Sequence, residues 1–256
     1  MSMPERSERR STIVATAALS DVDRAQMLAL MHQHYRDVQR EAFERDLFEK
    51  DEALLLRREG RVVGFTTLLA VETHVHDVPV TAFFSGDTVV EKSVRGDAEL
   101  LRTWGGTVFA RAQRLRERHG ERRVYWLLIS AGYATYRFLP LFFREYIPAL
   151  GREAPAFESA VLETLARARY GARFDPERGL VELEHATPLR AGVADADRRA
   201  GDPHVDYFVQ RNPEHTRGVE LVCLAEIDDR NLTRVGRRAL GHREARSAPA
   251  HAGRDG

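Results

Sequence analysis

The sequence predicts an α/β fold, also described as α+β, in which a mixed, mostly antiparallel sheet is flanked by helices. Three strand-like segments, residues 53–57, 62–71 and 78–90, are joined by short turns, which permit only antiparallel neighbours. The third segment runs through a glycine turn into a long amphipathic helix and then into the apolar segment 123–130. Such a crossover places its two strands parallel, so we expect one parallel strand pair around the glycine turn.

The elements on either side of this unit follow from hydrophobic spacing and capping residues. Upstream, residues 12–17 suggest a short strand, and Ser20 with Asp23 forms the start signal of an amphipathic helix. Downstream we expect an aromatic, mostly helical stretch at 132–146 that Pro140 kinks or ends, a helix at 157–170, strands at 180–184, 207–210 and 219–227, and a short helix at 231–240.

These elements define one domain. We expect residues 1–11 to be a disordered lead-in, residues 12–240 to form a single domain whose C-terminal part diverges, and residues 241–256 to be a disordered tail.

The amino-acid composition argues against several classes of protein function. The 256 residues include 39 basic and 39 acidic side chains, so net charge gives no long-range steering toward nucleic acid or an anionic membrane. Cys223 is the only cysteine, which excludes an intramolecular disulfide and a cysteine metal cluster; its apolar neighbours predict a buried core thiol. We find no metal motif, signal segment or membrane-length apolar run, and we expect a cytoplasmic protein that binds neither nucleic acid nor membrane.

The turn between the third strand and the long helix has the chemistry of an anion site. It reads Arg95-Gly96-Asp97-Ala98 and opens directly into the helix. Free backbone N–H groups and the positive end of the helix dipole attract an anion there, and small residues let a phosphate approach the backbone closely.

At this point the chain resembles the GNAT superfamily of acyl-CoA N-acyltransferases over about residues 20–148. The resemblance is carried by the order of elements and by Val89-Val90, the turn Arg95-Gly96-Asp97-Ala98 with Leu100-Leu101 after it, residues 126–130, Tyr133 and Tyr136. It implies acetyl-CoA or a longer acyl-CoA as co-substrate. The loop of Ser93, Gly96, Asp97 and Ala98 would hold the pyrophosphate, Lys92 and Arg95 would offset its charge, and Val89 and Val90 would line a V-shaped gap that takes the pantetheine arm.

Two residues depart from the family's loop pattern. Ser93 occupies the position where the pattern has arginine or glutamine, and Asp97 puts a carboxylate where a diphosphate would be repelled. Aspartate is also a good helix N-cap, which is the simpler role for Asp97. These departures favour the alternative to an active enzyme, a GNAT-fold binding module with altered or lost catalysis.

Acyl transfer to an amine calls for an acid and a base, and the resemblance implies a tyrosine as the acid. An acid for the thiolate would be Tyr136, with Tyr133 as second choice, although both are equally well explained as core aromatics. The base would be Asp87, with Glu91 as alternative. We expect direct attack by a small-molecule amine of unknown identity, because no covalent nucleophile is evident. A homodimer is left open, and the apolar run at 138–143 is core, acyl-pocket wall or interface.

Overall fold

The computed structural model describes residues 9–94, 98–120, 122–185, 187–190 and 201–241. Within these residues a nine-stranded sheet has the order β1-β2-β3-β4-β6-β9-β8-β7, with β5 paired to β3. The strands are β1 (Arg9–Ala15), β2 (Glu52–Arg58), β3 (Arg61–Val75), β4 (Val78–Ser85), β5 (Val89–Val90), β6 (Arg123–Ser130), β7 (Phe174–Asp175), β8 (Leu180–Val181) and β9 (Glu220–Glu226).

Helices cover both faces of the sheet. They are α1 (Asp21–His34), α2 (Arg40–Phe48), α3 (Glu99–His119), α4 (Tyr133–Tyr136), α5 (Phe138–Phe142), α6 (Ala156–Tyr170), α7 (Pro203–Arg211) and α8 (Arg234–Ala239). Apolar residues of α1, α2 and α6 pack on one face, whereas α3, α4, α5, α7 and α8 pack on the other. No helix in the described ranges is both long enough and apolar enough to cross a membrane.

The predicted sheet class is confirmed. Strands β2, β3 and β4 form an antiparallel meander, and β6 pairs parallel to β4 from Val80↔Arg123 to Ser85↔Leu128. The first strand starts and ends earlier than the expected 12–17. Arg9–Ala15 pairs with β2 along its whole length, so residues 9–11 belong to the sheet and not to a lead-in, whereas residues 16 and 17 lie in a 3₁₀ turn.

The strand predicted at 78–90 is interrupted by a bulge. Leu68 of β3 pairs with Ser85 and Phe65 pairs with Val89, so between these pairs two residues of β3 face three of the opposite strand. The extra residue lies in the Gly86–Thr88 segment. A Cβ atom on Gly86 would come within 2.5 Å of the Thr67 hydroxyl, which explains glycine at this position. The parallel pairing with β6 ends where the bulge begins.

The C-terminal part differs most from the prediction. The strand expected at 207–210 is wrong, because those residues lie in α7, which begins with the Asp202 side chain accepting from the His204 N–H and buries Val205 and Phe208. The strand expected at 180–184 shortens to Leu180–Val181. Pro140 lies inside α5, and the break falls before it, at Arg137 between the two short helices.

Three other predictions agree with the structure. Ser20 caps α1 by accepting from the Asp23 N–H at 3.1 Å. Cys223 is fully buried. In the 138–143 run, the structure favours core, because Leu139, Phe142 and Phe143 are buried in the layer under α3.

Candidate active site

The sheet opens where the parallel pair ends. After Ser85↔Leu128, β6 continues to Ser130 and pairs with β9, while β5 pairs with β3. The two strands that were hydrogen-bonded neighbours therefore part, and they leave a gap between β5 and the end of β6.

Backbone groups of Val90 face this gap. The Glu91 N–H donates to the Val63 carbonyl at 2.8 Å, and Val89 lies opposite Phe65. Because successive residues of an antiparallel strand direct their N–H and C=O groups to opposite edges, those of Val90 point away from β3. They form a free strand edge on which an extended ligand can pair.

A cavity of about 260 Å³ is lined by residues 85–88, which precede this edge. Its wall includes Phe84, which packs in the core under α6, and Trp126 and Leu128, which pack in the core under α3. Residues of both sheet faces therefore line one space, at the point where the strands part.

Ser85 fixes the edge of the gap. Its hydroxyl oxygen accepts from the indole N–H of Trp104 at 2.9 Å and from that of Trp126 at 3.0 Å. The two indoles, one on α3 and one on β6, are in contact, with ring centroids 4.6 Å apart. One hydroxyl therefore ties α3, β4 and β6 together at the last paired residue of β4.

Two carboxyl groups line the cavity and are held at unusual pKa values. Burial, together with the charge of Asp46, raises the pKa of Asp87 to about 7, against the opposing effect of Lys50 and Arg169. Burial and the charges of Asp87 and Asp46 raise the pKa of Glu220 to about 8. Asp87 was predicted from sequence, whereas Glu220 was not, because its place at the start of β9 has no sequence signature.

A pair of cations completes the wall. Lys50 Nζ lies 5.6 Å and the Arg169 guanidinium 4.3 Å from the centroid of the Phe84 ring. The Lys50 side chain is fully buried and donates to Asp46 Oδ1 at 2.6 Å. Sequence reasoning missed both cations. The one signal was that Lys50 is among only two lysines in an arginine-rich chain.

The other catalytic candidates lie outside the cavity wall. Tyr136 is fully buried and donates its hydroxyl to the Pro148 carbonyl at 2.9 Å, while Tyr133 donates to Asp202 Oδ2 at 2.9 Å. Glu91 forms an ion pair with Arg61 at 2.9 Å. Of the predicted acid and base candidates, the structure brings only Asp87 to the cavity.

The predicted phosphate loop is only partly described. Lys92 and Ser93 are exposed in a short 3₁₀ turn after β5, and Arg95, Gly96 and Asp97 lie outside the described residues. Ala98, not the expected Asp97, occupies the N-cap position of α3. In the part of the chain that is described, no group of three or more histidine, cysteine, aspartate or glutamate side chains is arranged to hold a metal ion.

Comparison with known proteins returns solved structures alone: no family model and no curated protein matches. A conserved protein from Enterococcus faecalis V583, described as a probable N-acyltransferase, overlaps 54% of this chain and 33% of its own length, with 12% identity and a TM-score of 0.41. A GCN5-related N-acetyltransferase from Kribbella flavida overlaps 74% of this chain and 49% of its own, with 16% identity and a TM-score of 0.38.

A GNAT family N-acetyltransferase from Escherichia coli, solved in complex with CoA, overlaps 53% of this chain and 71% of its own, with 14% identity and a TM-score of 0.33. This chain thus spans a third and a half of the length of the first two proteins. Two of these proteins are described as N-acetyltransferases and one as a probable N-acyltransferase.

Proposed function

We propose that this protein transfers an acyl group from acyl-CoA to an amine. The observation that carries the proposal is the parting of β4 and β6 at Ser85↔Leu128, with the free edge of Val90 on one side and a cavity through the opening. An extended arm that ends in a reactive group fits such a gap, because its amides can pair with the strand edge while its end reaches the cavity.

The residues at the gap fit acyl-CoA, which would supply the thioester. The N–H and C=O of Val90 would pair with the amides of its pantetheine arm. Exposed Lys92 would offset phosphate charge at the start of the loop, with Arg95, Gly96 and Asp97 in the roles that the resemblance gives them. The Trp126 and Leu128 side chains would exclude water from the reacting carbon.

Asp87 is the proposed base. An amine attacks a thioester only in its neutral form, and a carboxylate with a pKa near neutrality is well matched to remove the ammonium proton at neutral pH. The amine then attacks directly, the C–N bond forms and the C–S bond breaks. One of the two amine protons passes to the departing sulfur, and the other stays on the amide nitrogen. We assign Tyr133 and Tyr136 to packing, because their hydroxyls are engaged in internal hydrogen bonds.

A second candidate is a CoA-binding module without turnover. It is favoured by the same two internal hydrogen bonds, since they leave the cavity without the tyrosine acid that the resemblance implies.

The two candidates are separated by measuring binding and turnover independently. Acetyl-CoA, butanoyl-CoA and octanoyl-CoA should each be tested for a rise in melting temperature, which saturating ligand produces by mass action. CoA release with mixed amines is then followed by a thiol reagent, to which buried Cys223 contributes no fast background. A melting shift without CoA release favours the binding module. No shift with any acyl-CoA at millimolar concentration contradicts both.

A further inference from the structure

The two cations beside Phe84 differ in what they bind. Lys50 donates to both the backbone and the side-chain oxygen of Asp46, at 3.0 and 2.6 Å. Arg169 is only loosely paired, because its contacts to Asp46 and Glu49 are 3.6 and 3.8 Å and exceed hydrogen-bond length. Its Nε is buried and has no hydrogen-bond partner among the described residues. Lys50 therefore uses its N–H groups in hydrogen bonds to Asp46, whereas Arg169 still has N–H groups that can donate to a ligand.

The Arg169 guanidinium is nevertheless held in place. Its side chain is 15% exposed and stacks on Phe84 at 4.3 Å. The neighbouring Tyr170 is 6% exposed, and its hydroxyl is also buried without a hydrogen bond of good geometry in the described part of the chain. Both residues line the cavity. A fixed guanidinium with unfilled donors is suited to bind a carboxylate in its planar fork.

Arg169 shares the cavity with two carboxyls that it does not contact. Asp87 and Glu220 line the same space as Arg169, and across the described residues neither carboxyl forms an ion pair. Arg169 is still close enough to lower the pKa of Asp87 against the effect of burial. The positive and negative groups are thus within electrostatic reach but apart, which leaves room for a ligand that carries both charges.

We propose that the acceptor is a zwitterion, an α-amino acid whose carboxylate binds Arg169 and whose amino group lies at Asp87 and Glu220. This inference rests on the proposed function, because it identifies the class of amine that enters the transferase site. Glu220, which its raised pKa keeps mostly protonated near neutral pH, then accepts a hydrogen bond from the amino group through its carbonyl oxygen, while Asp87 takes the proton. The carboxylate of the ligand pairs with Arg169 and its amino group with Asp87 and Glu220. The ligand thus joins groups that form no ion pair with one another in the protein.

The carboxylate requirement is tested by binding, without any need for turnover. The twenty standard amino acids and the corresponding amino-acid amides are titrated into the protein by calorimetry, first alone and then with saturating CoA. We expect at least one amino acid to bind about tenfold or more tightly than its amide, since only the acid can fill the guanidinium fork. Equal affinity for acids and amides, or binding of neither, overturns the inference.

Variants of Arg169 test whether this residue causes the preference for the amino acid over its amide. Arg169→Gln should remove the preference for the acid, while Arg169→Lys, which keeps the charge but not the fork, should retain part of it. Arg167→Gln on the same helix is the control, because Arg167 is exposed and paired with Glu163. A preference that survives in a folded Arg169→Gln variant contradicts the proposal. Amino-acid binding without any acyl-CoA binding would refute the transferase function and leave the carboxylate site standing.

Discussion

The substitution Asp87→Asn separates the stability cost of the proposed base from its catalytic use. Folding raises the pKa of Asp87 from 3.8 to about 7, so the folded protein binds its proton more tightly than the unfolded chain does. Stability therefore falls as pH rises between these two values and is constant above them. The neutral amide has the same shape and carries no such penalty.

The size of the effect follows from the pKa change. A carboxyl with these two pKa values loses about 4 kcal/mol of stability on full ionisation. Water that enters the cavity screens the partly exposed group, so we expect about 1 kcal/mol to be measured, or a rise of about 2–4 °C in melting temperature. Removing the Asp87 charge also lowers the pKa of Glu220, which acts in the same direction.

The assay combines melting curves recorded at several pH values with the pH profile of kcat/KM. Asp87→Asn should match the parent at pH 4 and melt higher above pH 8, whereas kcat/KM falls about 10²- to 10⁴-fold, as loss of a general base predicts. The parent rate should rise with pH through about 7, as Asp87 ionises in the field of Asp46, Lys50, Arg169 and Glu220.

Asp77→Asn supplies the control. It makes the same charge change in the exposed turn between β3 and β4 and should alter neither the melting temperature nor the rate. An unchanged or lower melting temperature for Asp87→Asn at pH 8 would refute the burial argument. An unchanged rate would remove Asp87 as the base.

Two further predictions concern the backbone of the gap and the aromatic core. Gly86→Ala should lower the free energy of unfolding by about 1–3 kcal/mol and weaken acyl-CoA binding, because the added methyl group has no room in the bulge. Gly106→Ala is the control: its methyl group meets open space in α3, so it should raise the free energy of unfolding by up to about 1 kcal/mol. Both changes are measured by urea denaturation. Tyr136→Phe should cost about 1 kcal/mol through its internal hydrogen bond and leave CoA release unchanged; a selective loss of turnover would restore it as the acid.

The sequence predicted the sheet well where local signals agree with tertiary packing. Short turns fixed the antiparallel meander, and the crossover fixed the parallel pair, because chain length alone permits few alternatives there. The segment at 207–210 was misread as a strand because Tyr207, Phe208 and Val209 are residue types that favour strands. The competing signal was Asp202-Pro203, an N-cap followed by a proline in the first helical turn.

The candidate site was less predictable because it depends on contacts between distant parts of the chain. The bulge at Gly86 has only the glycine itself as a local signal, and its consequence, the parting of β4 from β6, is a property of the sheet. Lys50, Arg169 and Glu220 come from α2–β2, α6 and β9, and no spacing in the sequence relates them. Tyr136 shows the reverse: the family pattern gave it a role, and the packing engages its hydroxyl elsewhere.

The charge arrangement of the cavity argues for a ligand on energetic grounds. Two carboxyls with raised pKa values cost stability when they ionise, and Arg169, whose contact to Asp46 is 3.6 Å, forms an ion pair with neither of them among the described residues. Lys50 and Asp46, a few ångströms away, make the close contact that such charges normally make. A purely structural network would be expected to close all its pairs. Charges kept apart in a cavity, beside a break in the sheet, are more simply explained by a charged acceptor that binds between them.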